Sequence, residues 1–293
     1  MSTMTPTELL RGWLRRQLPS DTADWLESEA TTAGAAETDR SLLLAISLVH
    51  RRIGKADLGL SKADMAAAEA ARSGWRPVGW SLDQAARIFL LLGAGGPSER
   101  FANLLEQLFV TADVSELITF YRGLPLYPDQ LRYAERAAEG VRTNMKAVFE
   151  AVAHNNPYPA EQFSEHRWNQ MIVKALFIGS SLYPIERLEQ RWNPDLTRML
   201  CDYAHERWAA KRTVSYELWR GVGLYADKAA IDDLARVFDS GAPIERQAAA
   251  LALAESPHHD AASILARNST LAAAVKDGAL SWQSLAEKHL PSN

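Results

Sequence analysis

The chain has 293 residues, of which 47% are hydrophobic and 23% are charged, and its formal net charge at pH 7 is −4. This length can bury a large apolar core, and the composition is typical of a water-soluble globular protein. The acidic balance argues against a surface that neutralises many phosphates, so we expect no nucleic-acid partner.

The first predicted helix covers residues 6–17 and contains Arg11, Arg15 and Arg16. A secretory signal would require an unbroken apolar run at this place. No later stretch of about 18 residues is apolar throughout, so the sequence predicts no transmembrane helix and no direct membrane insertion. We therefore expect a cytoplasmic protein.

Apolar residues recur at helical spacing along the chain, and no segment alternates with the period of two that is typical of a strand. The sequence therefore predicts an all-α fold, a compact multi-helix array. The predicted helices are 6–17, 21–33, 39–55, 62–72, 82–93, 98–111, 114–121, 128–152, 165–178, 194–211, 214–223, 228–239, 243–254, 259–267 and 281–289.

The helix predicted over 165–178 carries four polar residues on one side. His166, Gln170 and Lys174 are successive neighbours at a spacing of four, and Asn169 stands beside His166. Two interpretations remain open. The face is exposed to solvent, as in any amphipathic helix, or it lines a polar cavity that uses several kinds of hydrogen-bonding side chain.

The helix predicted over 194–211 has a clear start. Asn193 is a favourable N-cap, and Pro194 suits the first helical position. Cys201, on this helix, is the only cysteine, so the chain can form neither an intrachain disulfide nor a zinc site of several thiolates.

The same helix places Asp202, His205 and Glu206 next to one another. A carboxylate beside an imidazole can orient the ring or raise its pKa. The pair of His205 and Glu206 lacks the second histidine of a zinc-protease helix, because position 209 is Ala209, so we expect no metal site. Two interpretations remain open: these residues form a satisfied polar network or a solvent-exposed helix face, or His205 acts in catalysis or ligand binding.

Tryptophans and tyrosines are dense between residues 158 and 225, and they include Trp208 and Trp219. Flat aromatic rings beside polar groups can form the wall of a ligand site. Ordinary packing of a helical core explains the same density.

The predicted linkers at 54–61, 72–81, 94–98 and 154–163 are short, which favours one continuous structure. After about residue 225 the helices become rich in alanine and leucine, as in stacked HEAT-type pairs. We therefore expect a main helical domain over 1–225 and a HEAT-like part over 226–293 packed on it.

Several short motifs together resemble the EboA family. They are G-W-S-L-D-Q-A-A-R-I-F-L-L-L at 79–92, N-P-Y-P at 156–159, W-N-Q-M with K-A-L-F at 168–177, N-P-D-L at 193–196, D-Y-A-H-E-R-W at 202–208 and E-L-W-R at 217–220. The resemblance implies an all-helical cytoplasmic protein, encoded in a bacterial gene cluster for metabolite trafficking and secondary metabolism. It implies partners from the same cluster, including a membrane protein similar to prenyltransferases. It does not imply a particular activity, because none is established for the family.

The leading hypothesis is a helical binding or adaptor protein that handles a small aromatic or prenyl-derived metabolite and needs no cofactor. The alternatives are an enzyme with His205 as acid or base and Lys174 as a stabiliser of negative charge, or a scaffold for partner enzymes. We expect Asn169, Lys174, Asp202 and His205 to share a partly buried pocket. The full set of candidate ligand-binding residues is Asn156, His166, Asn169, Gln170, Lys174, Asp202, His205, Glu206, Arg207, Trp208 and Trp219.

Overall fold

The computed structural model describes residues 4–35, 39–95 and 97–289. Over these residues the secondary structure consists of α-helices and short 3-10 helices, with no strand, which confirms the predicted all-α fold. None of the described helices combines the length and the apolar character that crossing a membrane requires. Gly96, in the predicted linker 94–98, and residues 290–293 lie outside the described part.

The α-helices of the first half of the chain are α1 (Pro6–Gln17), α2 (Ser20–Ala35), α3 (Arg40–Ile53), α4 (Lys62–Ala71), α5 (Leu82–Ala94), α6 (Ser98–Thr111), α7 (Val114–Arg122), α8 (Ala134–Arg142), α9 (Lys146–Ala153) and α10 (Tyr158–Gln162). Those of the second half are α11 (Glu165–Phe177), α12 (Pro194–Ala209), α13 (Lys228–Ser240), α14 (Pro243–Glu255), α15 (Ala261–Leu265), α16 (Ser269–Lys276) and α17 (Trp282–His289). The 3-10 helices are Leu124–Leu126, Gln130–Tyr133, Leu188–Arg191, Tyr216–Gly221 and Gly223–Tyr225.

The single helix predicted over 128–152 is wrong, because this stretch is broken before α9. Thr143 has an extended backbone, and its Oγ1 accepts a hydrogen bond from the Met145 backbone N at 3.1 Å. A hydroxyl that bonds to the nearby backbone competes with the helical pattern and ends it. Residues 216–221 form a 3-10 helix where an α-helix was predicted, and neither α16 nor α10, which lies in the predicted linker 154–163, was predicted.

The chain divides into two compact units, one over residues 1–163 and one over 164–293. The division expected from the sequence, after residue 225, differs from this one and stays a prediction. The HEAT-like character of the part after residue 225 also stays a prediction.

The first unit is built around α5, which packs against α1, α2, α3 and α7. Ile88, Leu90 and Leu91 are fully buried on different sides of α5. A helix that is apolar nearly all round has to be enclosed by other helices. This requirement places α5 at the centre of the unit. The end of α7 lies next to the beginning of α5.

The second unit is built around α14, which contacts α13, α15, α16 and α17 and the two 3-10 helices between residues 216 and 225. Six consecutive residues, 248–253, are buried. Most of them are alanines, whose small side chains let neighbouring backbones approach closely.

Gly223 is needed for one of these close approaches. A Cβ atom at this position would lie 2.2 Å from the backbone oxygen of Ala252 on α14. The opposing atom belongs to the backbone of a central helix, so it cannot move aside as a flexible side chain would.

We predict that Gly223→Ala lowers the free energy of unfolding by about 1–3 kcal/mol, the usual range for overpacking a core. Gly12→Ala on α1 is the matched control, because nothing lies within 4 Å of a Cβ built there. The control should raise stability by about 0.5–1 kcal/mol, since alanine is the better helix former. Urea denaturation of both variants measures this, and equal effects would contradict the prediction.

Candidate functional site

The polar face of α11 is divided between solvent and core. His166 and Gln170 are exposed, Lys174 is half-buried, and Asn169 is only 3% exposed. The Lys174 Nζ lies 5.1 Å from the centroid of the Phe177 ring, within the range of a cation–π interaction. The four predicted site residues of α11 therefore occupy different environments.

Asn169 forms a reciprocal amide pair with Asn193. The Asn169 Nδ2 donates to Asn193 Oδ1 at 3.1 Å, and the Asn193 Nδ2 donates to Asn169 Oδ1 at 2.9 Å. Asn193 Oδ1 also accepts from the Leu196 backbone N at 2.8 Å, which confirms Asn193 as the N-cap of α12. Asn169 thus fixes the start of α12 against α11.

Asp202, His205 and Glu206 are exposed on α12. Their positions differ from the partly buried pocket expected from the sequence, because the buried side of α12 is formed by Leu196 and Leu200, among others. Asp202 and His205 are therefore open to solvent, in contrast to the buried Asn169. Their part in ligand binding stays a prediction.

His205 has a carboxylate partner on the next α-helix. Its Nε2 lies 2.7 Å from Asp233 Oδ2 of α13, and the side chains of His205 and Asp233 are 51% and 14% exposed. Burial raises the pKa of Asp233, and the contact with His205 opposes this effect. The pair can orient the imidazole, as a carboxylate beside an acid–base histidine does.

The aromatic residues near α12 divide between core and surface. Trp219 is fully buried, and the Trp208 ring stacks on it with centroids 5.8 Å apart and planes at 26°. The guanidinium carbon of Arg236 lies 4.2 Å from the centre of the Trp208 ring. Arg207, on α12, contacts the loop that follows this helix: its Nε donates to the Thr213 backbone oxygen at 2.9 Å.

Asn156 is the predicted site residue of the first unit, and both the nitrogen and the oxygen of its side-chain amide form hydrogen bonds with backbone atoms. Its Nδ2 donates to the backbone oxygens of Tyr121 and Ala151, both at 3.2 Å, and its Oδ1 accepts from the Tyr158 backbone N at 3.0 Å. These bonds connect the turn after α9 to the end of α7. They also set Asn156 in the wall of a cavity.

The cavity has a volume of about 180 Å³. It lies beside α7 and α9 and is lined by Arg76, Val78, Trp80, Ile118, Arg122, Ala147, Glu150, His154, Asn155 and Asn156. A cavity of about 150 Å³ can hold a molecule of the size of benzene. The space therefore suits a small ligand or one end of a larger one.

Most of the side chains that line the cavity are polar. It includes the guanidinium groups of Arg76 and Arg122, the carboxylate of Glu150, the imidazole of His154 and the amide of Asn156. A few convergent polar groups around a concave space are the usual mark of a ligand site. This cavity is therefore the candidate functional site of the first unit.

Arg122 is the half-buried cation of this wall. Its Nη1 donates to the Gly79 backbone oxygen at 2.9 Å and to Gln84 Oε1 at 2.7 Å. Burial lowers the pKa of Arg122, although an arginine stays charged at neutral pH. Both acceptors are neutral, and no carboxylate of the described residues forms an ion pair with Arg122.

The sequence named Asn156 as a candidate, but it did not predict the charged groups that line the same cavity. Arg76 lies in the predicted linker 72–81, and His154 lies at the start of the predicted linker 154–163. The available signal was the polar run of residues 154–156 directly after an apolar helix. Nothing in helical periodicity connects that run with Arg122.

One group of potential metal ligands occurs in the described residues. Ligand atoms of His258, His259 and Asp260 lie within 4.8 Å of one another. They come from consecutive residues of a surface turn, and the His258 Nδ1 accepts a hydrogen bond from the Asp260 backbone N at 3.2 Å. This bond occupies one of the two ring nitrogens that a metal could use.

A family model described as "Metabolite traffic protein EboA" matches residues 6–223. The matched range includes every residue that lines the cavity and all of α11 and α12. No curated protein and no solved structure matches the chain.

We predict that Asn169→Ala lowers the free energy of unfolding by about 2 kcal/mol, because the buried Asn193 amide loses two of its hydrogen bonds, one donated to Asn169 and one accepted from it. His166→Ala, on the exposed side of the same helix, should change stability by less than about 0.5 kcal/mol. Thermal unfolding of the two variants measures the difference. An Asn169→Ala protein as stable as His166→Ala would show that the pair does not support the fold.

We also predict that the protein purifies without a stoichiometric transition metal, because tight sites need three or more well-spaced ligands from a rigid frame. Elemental analysis of the purified protein checks this. About one zinc per chain that is lost on His258→Ala or on His205→Ala would contradict the prediction.

Proposed function

The chain belongs to the EboA family of metabolite traffic proteins, and we propose that it acts in this traffic by binding a small metabolite in the cavity of the first unit. The polar cavity of about 180 Å³ is the observation that carries the proposal. Its residues all fall within the part of the chain that the family model matches. A binding protein needs a shaped space with a few oriented polar groups, and it needs no catalytic group.

The proposed ligand is a small aromatic or prenyl-derived metabolite. Trp80 contributes a flat, buried wall, and Val78 and Ile118 contribute aliphatic surface beside it. Trp80 is itself held in place by Trp75, whose ring centroid lies 6.1 Å away in an edge-to-face arrangement. Such rigid apolar walls favour rings and branched hydrocarbon chains.

The proposed setting is the cytoplasm, where the protein acts as an adaptor that receives its ligand from one protein of the same gene cluster and delivers it to another. The size of the cavity supports this role. A space of about 180 Å³ encloses one end of a larger metabolite and leaves the rest exposed for a partner to take. Partial enclosure also keeps the cost of release low.

A second candidate function is an enzyme that acts on the same class of metabolite. The contact of 2.7 Å between His205 Nε2 and Asp233 Oδ2 favours it, because an oriented imidazole can transfer protons. The site lies on a surface where His205 is half-exposed, so water would have access to any reaction there. Binding in the cavity is therefore the better supported function.

We predict that native mass spectrometry of the protein, purified from its own host, shows a retained small molecule. Ala147→Trp should abolish the retention, because Ala147 is an exposed residue in the cavity lining and the indole would fill the opening. Ala66→Trp on α4 is the matched control, since Ala66 is exposed and does not line the cavity. It should retain the same molecule as the unchanged protein.

His205→Gln distinguishes the two candidate functions in the same experiment. A binding protein keeps the same retained mass after this change, whereas an enzyme that uses His205 accumulates its substrate and shows a different mass. Retention that survives Ala147→Trp, in a protein that remains folded, would rule out the cavity as the binding site.

A further inference from the structure

We propose that the ligand of this cavity is an amphipathic oxyanion. Its carboxylate or phosphate group binds Arg122, and its apolar part extends from the cavity towards the surface over Ile118 and Val78. This inference rests on the proposed function, which places a metabolite in the cavity, and it adds the chemical class of that metabolite. Four features of the first unit support it.

The first feature is the free edge of the Arg122 guanidinium. Only Nη1 is engaged, by the Gly79 oxygen and by Gln84. Nε and Nη2 donate to none of the described residues. These two nitrogens form one of the fork-shaped edges with which arginine binds a carboxylate or a phosphate through two parallel hydrogen bonds.

The second feature is the contrast with Arg87, a buried arginine of α5. Arg87 Nη1 lies 2.6 Å from Asp83 Oδ2, and Arg87 Nη2 lies 3.7 Å from Glu116 Oε1. Asp83 of α5 and Glu116 of α7 thus form ion pairs with Arg87. A desolvated cation normally requires a partner of this kind, and for Arg122 an anionic ligand would supply it.

The third feature is the charge of the wall. The wall contains two arginines, Arg76 and Arg122, and one carboxylate, Glu150. It therefore carries one net positive charge when His154 is neutral. The whole chain has a net charge of −4. The cavity is therefore a positive site in an acidic protein, and its walls concentrate the field on a bound anion.

The fourth feature is an apolar path from the cavity to the surface. Val78 lines the cavity and is 49% exposed, and Ile118 lines it from α7. Val114, which is 48% exposed, precedes Ile118 by one helical turn and lies on the same face of α7. A hydrocarbon or aromatic part bound over these side chains would remove their surface from water.

Isothermal titration with four probes tests the proposal: octanoate, octyl phosphate, octanol and inorganic phosphate, all below micelle-forming concentrations. We expect octanoate or octyl phosphate to bind, and the one that binds more tightly identifies the anionic group. Octanol lacks the charge and inorganic phosphate lacks the apolar part, so each should bind at least about tenfold more weakly.

Arg122→Met should weaken binding of the octyl anion by about tenfold or more, and Arg122→Lys should restore part of it, because it returns the charge without the fork. Arg51→Met is the matched control. It removes the same charge from an exposed position of α3 that does not line the cavity, and it should leave the affinity unchanged.

Glu150→Gln provides a test of opposite sign, which remains informative if the Arg122 variants do not fold by circular dichroism. Removing the only carboxylate of the wall should tighten binding of the octyl anion severalfold. The proposal is overturned if octanol binds as tightly as the anions, if neither octyl anion binds, or if folded Arg122→Met binds as the unchanged protein does. Unchanged or weaker binding by Glu150→Gln overturns it equally.

These outcomes separate the anionic ligand from the proposed function. An uncharged metabolite that is retained in native mass spectrometry and lost with Ala147→Trp would leave the binding function standing and refute the oxyanion. An octyl anion that binds in the Arg122-dependent way, with no metabolite retained from the host, would support the chemistry of the cavity and count against tight metabolite binding.

Discussion

The buried ion pair between Asp83 and Arg87 is the constraint on which the first unit depends. Both residues stand on α5, which apolar residues force to the centre of the unit, and both are nearly inaccessible to solvent. Two charges can be kept in such a place only as a well-bonded pair, and removing one partner of such a pair costs about 3–5 kcal/mol. Glu116 of α7 lies 3.7 Å from the same guanidinium, so the pair also connects α5 to α7.

The end of α7 is held by polar contacts from two other segments of the first unit, next to the cavity. Gln84, on the first turn of α5, accepts from Arg122, while Asn156 donates to the backbone oxygen of Tyr121. Neither contact fills space as an apolar core does. Two neighbouring residues of α7, Tyr121 and Arg122, are thus held by amides from two other segments, and Arg122 and Asn156 both line the cavity.

In the second unit, several motif residues that suggested chemistry serve the fold. Asn169 secures the N-cap Asn193, and Trp219 is fully enclosed under Trp208. Asparagine and tryptophan are ambiguous in a sequence, because the same amide or indole suits a ligand wall or a satisfied interior. His205 is the exception, since it is exposed and meets a carboxylate from another helix.

The sequence by itself determined the all-α class, most helix starts and the cap at Asn193, because periodicity and capping act over one or two turns of the same helix. It named Asn156 as a candidate residue through a local motif, and the structure places this residue in the wall of the cavity. Only the tertiary structure decided that His205 meets Asp233, 28 residues away, and that Arg122 shares a cavity with Arg76 and Glu150. Helical spacing predicts which residues share a face of one helix. Which faces of two helices contact each other depends on how the apolar stripes of all the helices are buried together.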